Sequence, residues 1–120
     1  MLYKYNMSTD DRDDLIFKAL SHRVRRQLLD LLKAEPRTTG ALCELMPELD
    51  RCTVMQHLGV LEQAGLVIAE RRGRERWNHL DALPIQAIHE RWIGPYAAYA
   101  SMMLSKLQRN LETPEQQGSA

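Results

Sequence analysis

Apolar residues recur at intervals of three and four through most of this chain, and the period changes once. Leu15, Ile16, Ala19 and Leu20 share one face of a helix expected from about Asp11 to Leu20. Asp10, Asp11, Asp13 and Asp14 suit its first turn, where backbone N–H groups are unpaired. Ser21 is placed to cap a second helix, His22 to Ala34, with Val24, Leu28, Leu29, Leu31 and Leu32 at helical spacing. Pro36 marks its end. Thr38 caps a short third helix, Thr39 to Met46, with Leu42 and Leu45 inward, which Pro47 ends. Asp50 caps a fourth, Arg51 to Ala64, and Gly65 closes it. Leu49 before that cap and Val54 inside it form a hydrophobic staple.

The period then shortens. Leu66 to Ala69 is rich in strand formers, and Arg76 to Leu80 alternates. Gly73 lies between them, so a hairpin is expected with Arg71 to Glu75 at its tip. Helical spacing returns with Ile85, Ile88, Trp92, Tyr96, Tyr99, Met103, Leu107 and Leu111. Gly94-Pro95 predicts a kink or short gap in that fifth helix. The expected fold is mostly α with one small hairpin, a winged helix-turn-helix of about five helices and a two-stranded wing. One domain is expected over residues 10–113, between a loose start (1–9) and a polar tail (114–120).

A chain of 120 residues is one domain's worth, large enough to fold without a metal or disulfide staple. No run approaches the roughly 18 apolar residues of a membrane span, and no apolar leader follows a basic start. A cytoplasmic location without membrane contact is expected. Sixteen basic and sixteen acidic residues cancel, which excludes a nonspecific polycation but leaves local patches. Arg23, Arg25, Arg26 and Lys33 face only Asp30 in their stretch, and Arg71, Arg72, Arg74 and Arg76 outnumber Glu70 and Glu75. Cys43 and Cys52 cannot build a disulfide framework, and both are expected reduced.

Two short helices joined by Pro47 to Asp50, with a basic hairpin directly after, form an arrangement suited to DNA. The second helix fits the major groove while the hairpin reaches flanking phosphates or the minor groove. On the fourth helix Val54, Leu58 and Leu61 cluster on one side and belong to the core. Cys52, Thr53, Gln56 and Gln63 then face outward, with Met55 at the edge and Arg51 in the first turn. Gln56 can pair in two-pronged fashion with adenine, Thr53 can touch a base edge, and Arg51 can reach guanine or phosphate. Arg71, Arg72, Arg74 and Arg76 are the candidate wing contacts. Arg23, Arg25 and Arg26 either extend the basic surface or pair with Asp10 to Asp14. Cys52 sits at the start of the reading helix beside Arg51, a candidate redox-sensitive thiol whose modification would release DNA. The plainer role for it is a passive contact, and for Cys43 a small core residue.

No enzyme is expected. The histidines His22, His57, His79 and His89 fall on four elements, and there is no phosphate-cradling glycine loop, nucleophile elbow or paired cysteine motif. His57 is placed for packing or a phosphate contact. The alternative is a winged-helix module for protein assembly, which Glu44 and Glu48 favour and the basic wing disfavours.

Three stretches resemble the ArsR/SmtB family of winged-helix repressors. Ala19 to Leu29 is similar to the family's ALSDPTRRRIL, Leu49 to Leu61 to its recognition helix LSQSTVSHHLKVL, and Glu62 to Val67 to REAGLV. The likeness covers about residues 15–81. It implies a homodimeric repressor, built from the first and last helices, on an inverted-repeat operator. The self-contact candidates are Leu15, Ile16, Trp92, Tyr96, Tyr99, Met103 and Leu107. The length of the aromatic stripe points the same way, because a small winged domain has too little core to cover it. The chain also departs from the family. Cys43 stands at the first cysteine of an ELCVCD-like sensing motif, but Leu45 stands at the second. On the last helix His89 and Glu90 have no partnering histidine. Neither familiar metal site is therefore expected, and no cofactor is. Gly59 replaces a common basic residue and Met55 a common serine, which points to altered sequence preference. The implied partners are double-stranded DNA, a second copy of the chain and an inducer whose identity the sequence does not reveal.

Overall fold

The structure, a computed structural model, describes residues 7–112. Of the loose start expected at 1–9, residues 1–6 lie outside these residues, as does the tail at 114–120, while Ser8 and Thr9 already belong to the start of the first helix. The chain forms two compact units that divide after Ile85. The first contains α1 (Thr9–Leu20), α2 (Arg23–Ala34), β1 (Arg37–Thr38), α3 (Thr39–Leu45), α4 (Arg51–Gln63), β2 (Val67–Arg72) and β3 (Glu75–Leu80). The helix α5 (Leu83–Ile88) spans the division, and a π-helical turn (His89–Ile93) and α6 (Gly94–Glu112) make up the second.

Side chains close most helix ends, with two changes from expectation. Ser8 caps α1 by accepting from the Asp11 N–H at 3.1 Å, so the helix begins before Asp11. Ser21 closes α1 instead of opening α2: its N–H and its hydroxyl both donate to the Lys18 carbonyl. The N-cap of α2 is His22, whose Nδ1 accepts from the Val24 N–H at 3.1 Å. Thr38 and Asp50 cap α3 and α4 as expected, at 3.1 and 2.7 Å. The Thr53 N–H bond holds the Asp50 carboxyl below its usual pKa.

The core of the first unit takes Ile16 and Ala19 from α1 and Leu28, Leu29 and Leu32 from α2. Leu42 and Met46 come from the α3 region, Val54, Leu58 and Leu61 from α4. Leu66 and Val67 join it where the chain enters the wing. These are the faces that helical spacing marks out, except on α3: Leu45, expected inward, is 49% exposed, and Met46, four residues after Leu42, takes the core position instead.

The sheet has three strands, ordered β1-β3-β2 and antiparallel throughout, where the sequence predicts two. Two residues are too few to show a period, so β1 was illegible. A buried polar side chain anchors it. Asn78 is fully buried, and its Nδ2 donates to the Arg37 carbonyl at 3.2 Å and to Thr39 Oγ1 at 3.1 Å. Asn78→Ala leaves those acceptors without their donor, and is expected to cost about 1–3 kcal/mol in a thermal unfolding experiment. An unchanged midpoint would show that the bridge contributes nothing.

The strands also run further towards the tip than expected, and leave a two-residue turn of Gly73 and Arg74. Gly73 adopts φ +63°, which favours glycine. In the second unit the chain stays helical through Gly94-Pro95. Pro95 lacks the N–H for an α-type bond, and its ring crowds the carbonyl four residues back. The turn widens instead: the Gly94 N–H bonds the His89 carbonyl, five residues back. A Cβ on Gly94 would lie 3.2 Å from that carbonyl oxygen, so glycine suits the wider turn.

Candidate nucleic-acid interface

The candidate reading surface is built on α4. The chain leaves α3 at Met46 and turns through Pro47 to Asp50, with the Leu49 N–H bonded to the Met46 carbonyl at 3.1 Å. Three residues of α4 point inward with no exposed surface: Val54, Leu58 and Leu61. The opposite side is therefore bare. Arg51, Cys52, Met55, Gln56 and Gln63 are exposed, and Thr53 is half-buried. These residues share the solvent side of one rigid helix, the geometry that base-edge contact in a major groove requires.

The four wing arginines divide into two pairs. Arg71 lies on β2 and Arg74 in the turn; both are exposed, and no ion pair engages either among the described residues. Arg72 is held by Glu70 at 2.7 Å, with its guanidinium 5.3 Å from the centre of the Trp77 ring. The hydrogen bond between them lowers the Glu70 pKa and raises that of Arg72. Arg76 turns back to α4 and meets Glu62 at 2.7 Å. It joins the wing to the reading helix, so Arg71 and Arg74 are the side chains most available to phosphate.

The arginines at the start of α2 also differ from expectation. Arg25 donates to the carbonyls of Ala19 and Lys18, both at 2.9 Å, and Arg26 to that of Leu20 at 2.7 Å. They close the C-terminal end of α1 and do not pair with Asp10 to Asp14. Its unpaired carbonyls attract cations more strongly than a distant carboxylate does. Arg23 is exposed.

Sequence reasoning missed the group behind α4. His57 is half-buried, and its Nδ1 lies 3.1 Å from Arg25 Nη1. The His22 and His57 rings are 4.5 Å apart. Burial, followed by the charges of His22 and Arg25, lowers the His57 pKa below 6.5. Partners 32 residues apart leave no periodic trace in a sequence.

The self-contact candidates fall on both units. Leu15 is half-buried and Ile16 only 5% exposed, so Ile16 serves mainly the core of its own unit. Both line an open cleft of about 420 Å³ with Met7, Ala64, Gly65 and Pro84. In the second unit Trp92, Tyr96, Tyr99, Met103 and Leu107 are all exposed, and no residue of α6 is buried. Cys52 is exposed and Cys43 half-buried, both as free thiols.

Residues 20–69 match a family model described as a helix-turn-helix domain. The chain is 32% identical over 71 residues to the transcriptional repressor SdpR of Bacillus subtilis, covering 59% of this chain and 78% of that one. It is 36% identical over 86 residues to YuzN, an HTH-type transcriptional regulator of the same organism, covering 67% and 94%. Among solved structures it matches the ArsR family regulator RHA00566 with a TM-score of 0.66 at 26% identity, covering 75% of this chain and 97% of that one. This chain belongs to the ArsR family of winged helix-turn-helix transcriptional regulators. The matched stretch runs from the end of α1 into β2 and so contains the whole α3-turn-α4 unit of the regulator. At the positions where the family's familiar metal motifs fall, this member has Cys43 with an exposed Leu45, and exposed His89 and Glu90. Among the described residues no three His, Cys, Asp or Glu side chains gather as metal ligands, and no helix is long and apolar enough to cross a membrane.

Proposed function

We propose that this regulator is a homodimeric repressor that reads an inverted-repeat operator with α4 and grips the flanking phosphates with its wing. The observation that carries this reading is the bare side of α4, which holds Arg51, Cys52, Thr53, Met55 and Gln56 opposite a fully buried Val54-Leu58-Leu61 face. Arg71 and Arg74 supply sequence-independent affinity, and Gln56 supplies base choice. The stripe of exposed large apolar residues on α6 supports self-association. The likeness to SdpR, itself a transcriptional repressor, supports repression as the mode of action. DNA binding without chemistry is the whole activity, and an inducer would act by changing the angle between the two winged halves.

Fluorescence anisotropy tests this with a duplex from the gene's own upstream region and a shuffled duplex, each at two salt concentrations. Tight, salt-sensitive preference for the upstream duplex is expected, because each phosphate contact releases counterions. Arg74→Ala should weaken binding to both duplexes alike. Gln56→Ala should cost about 1–3 kcal/mol at one base pair and leave shuffled DNA unaffected. Equal loss on both duplexes for Gln56→Ala would mean that Gln56 does not read bases. Absence of binding at low salt would favour the assembly-module reading.

A further inference from the structure

We propose that His22, Arg25 and His57 form a proton-sensitive latch that positions the reading helix, engaged when both imidazoles are neutral and released in acid. The DNA consequence rests on the function proposed above; the latch itself rests on geometry. An arginine side chain has only donors. The 3.1 Å contact between Arg25 Nη1 and His57 Nδ1 is therefore a hydrogen bond only while that nitrogen keeps its lone pair. The same holds at His22, whose Nδ1 accepts from the Val24 backbone N–H as the cap of α2. Both contacts need the neutral ring, and a proton on either nitrogen converts acceptor to donor. It also sets a second positive charge against Arg25, with the two rings only 4.5 Å apart.

The latch joins three helices. Arg25 on α2 grips the last carbonyls of α1 through Lys18 and Ala19, and with its third nitrogen, Nη1, holds His57 on α4. His57 follows Gln56 directly and precedes the core residue Leu58. It is a positioning residue and makes no base contact itself. The charges acting on its ring are those of His22, the N-cap of α2, and of Arg25 within it. α1 brings the Lys18 and Ala19 carbonyls through Arg25, and carries exposed Asp10, Asp11, Arg12, Asp14 and Lys18 and a half-buried Asp13; α2 adds exposed Arg23, Arg26, Asp30 and Lys33, and α3 an exposed Glu44 and a half-buried Cys43. On α4 itself Arg51 and Glu62 are exposed, and Glu62 is paired with Arg76. On β2, Glu70 is engaged by Arg72, and Arg71 is exposed. No carboxylate is among the charges that shift His57.

The sign follows from burial. The folded chain holds the His57 proton less tightly than the unfolded chain, whose value is about 6.5. The stability contribution is whole above that value and is lost as pH falls through the lowered folded value. His22→Asn with His57→Asn keeps acceptors at both places, since asparagine caps helices well and its amide oxygen sits near the position of Nδ1. Neither asparagine titrates.

Thermal unfolding and anisotropy with the upstream duplex, at pH 7.5 and pH 5.5 in wild type and double variant, decide the matter. In wild type the midpoint is expected to fall by about 5 °C and the affinity by roughly fivefold, the scale of one lost helix cap. The double variant should lose less than half as much of each. Equal pH responses in the two proteins would overturn the latch. A falling wild-type midpoint with unchanged affinity would overturn the positioning of α4. A wild-type-only fall in midpoint with no DNA binding at either pH would uphold the latch and overturn the proposed function. If the double variant fails to fold, NMR of the wild-type His57 ring carries the test. Titration below 6.5, with the Gln56 and Leu58 amides following the same midpoint, supports the latch. Titration at or above that value overturns it.

Discussion

Tyr99→Glu with Met103→Glu is expected to make the regulator monomeric and to lower its affinity for an inverted repeat by at least about a hundredfold. The two positions lie four residues apart in α6, one above the other on a single face. They are 59% and 42% exposed, and no residue of α6 is buried, so the change removes nothing from a core within the chain. Glutamate keeps good helix propensity, and the helix itself should survive. In a dimer the same side chains are covered, and four carboxylates would have to be buried without partners. A dimer that holds two half-sites gains about 10²–10⁴ over one reading head, and a monomer forfeits that factor. Sedimentation velocity reads the oligomeric state, anisotropy the affinity, and circular dichroism the retained helix. A double variant that stays dimeric would place the self-contact surface elsewhere. A wild type that is monomeric at all concentrations would remove the dimer from the proposal.

Leu58→Ala is expected to destabilise the fold by about 2–5 kcal/mol, among the largest effects of any single truncation in the chain. Leu58 has no exposed surface and lies at the centre of the inward face of α4. Its loss removes apolar contact and leaves a cavity between α4 and the helices packed on it. Met55, three positions earlier, is 42% exposed. Met55→Ala should therefore shift the unfolding midpoint by less than about 0.5 kcal/mol equivalent, while altering sequence preference on DNA. The contrast between neighbours on one helix tests its rotational setting. Similar costs at the two positions would mean that α4 presents a different face to the groove.

The reading helix was legible in the sequence almost to the residue. Asp50 as its cap, Gly65 as its stop and Val54, Leu58 and Leu61 as its buried face all follow from neighbours within a few turns. The same reasoning placed the Ser21 cap on the wrong helix. Ser21 and His22 are adjacent, and either has a side chain able to cap; which one takes the N–H depends on how α1 ends against α2. The wing was visible as a change of period, but not the division of its arginines. Arg76 turns to Glu62, 14 residues earlier, and that choice exists only once β3 lies beside α4.

From its sequence alone, then, this chain specifies a winged helix-turn-helix, the phase of the reading helix and an apolar stripe with too little domain to cover it. Each is a local or periodic property, set by hydrogen bonds and burial within a few residues. Folding decided the rest: the short β1 held by Asn78, the pair of wing arginines left free, and the meeting of His22, Arg25 and His57 behind α4. The contacts that decide them, apart from Glu70 with its near neighbour Arg72, join residues 14 to 41 positions apart, and no spacing along a chain records those. Hydrogen bonds and charges act at about 3 Å in space, wherever packing of the apolar faces brings their partners together.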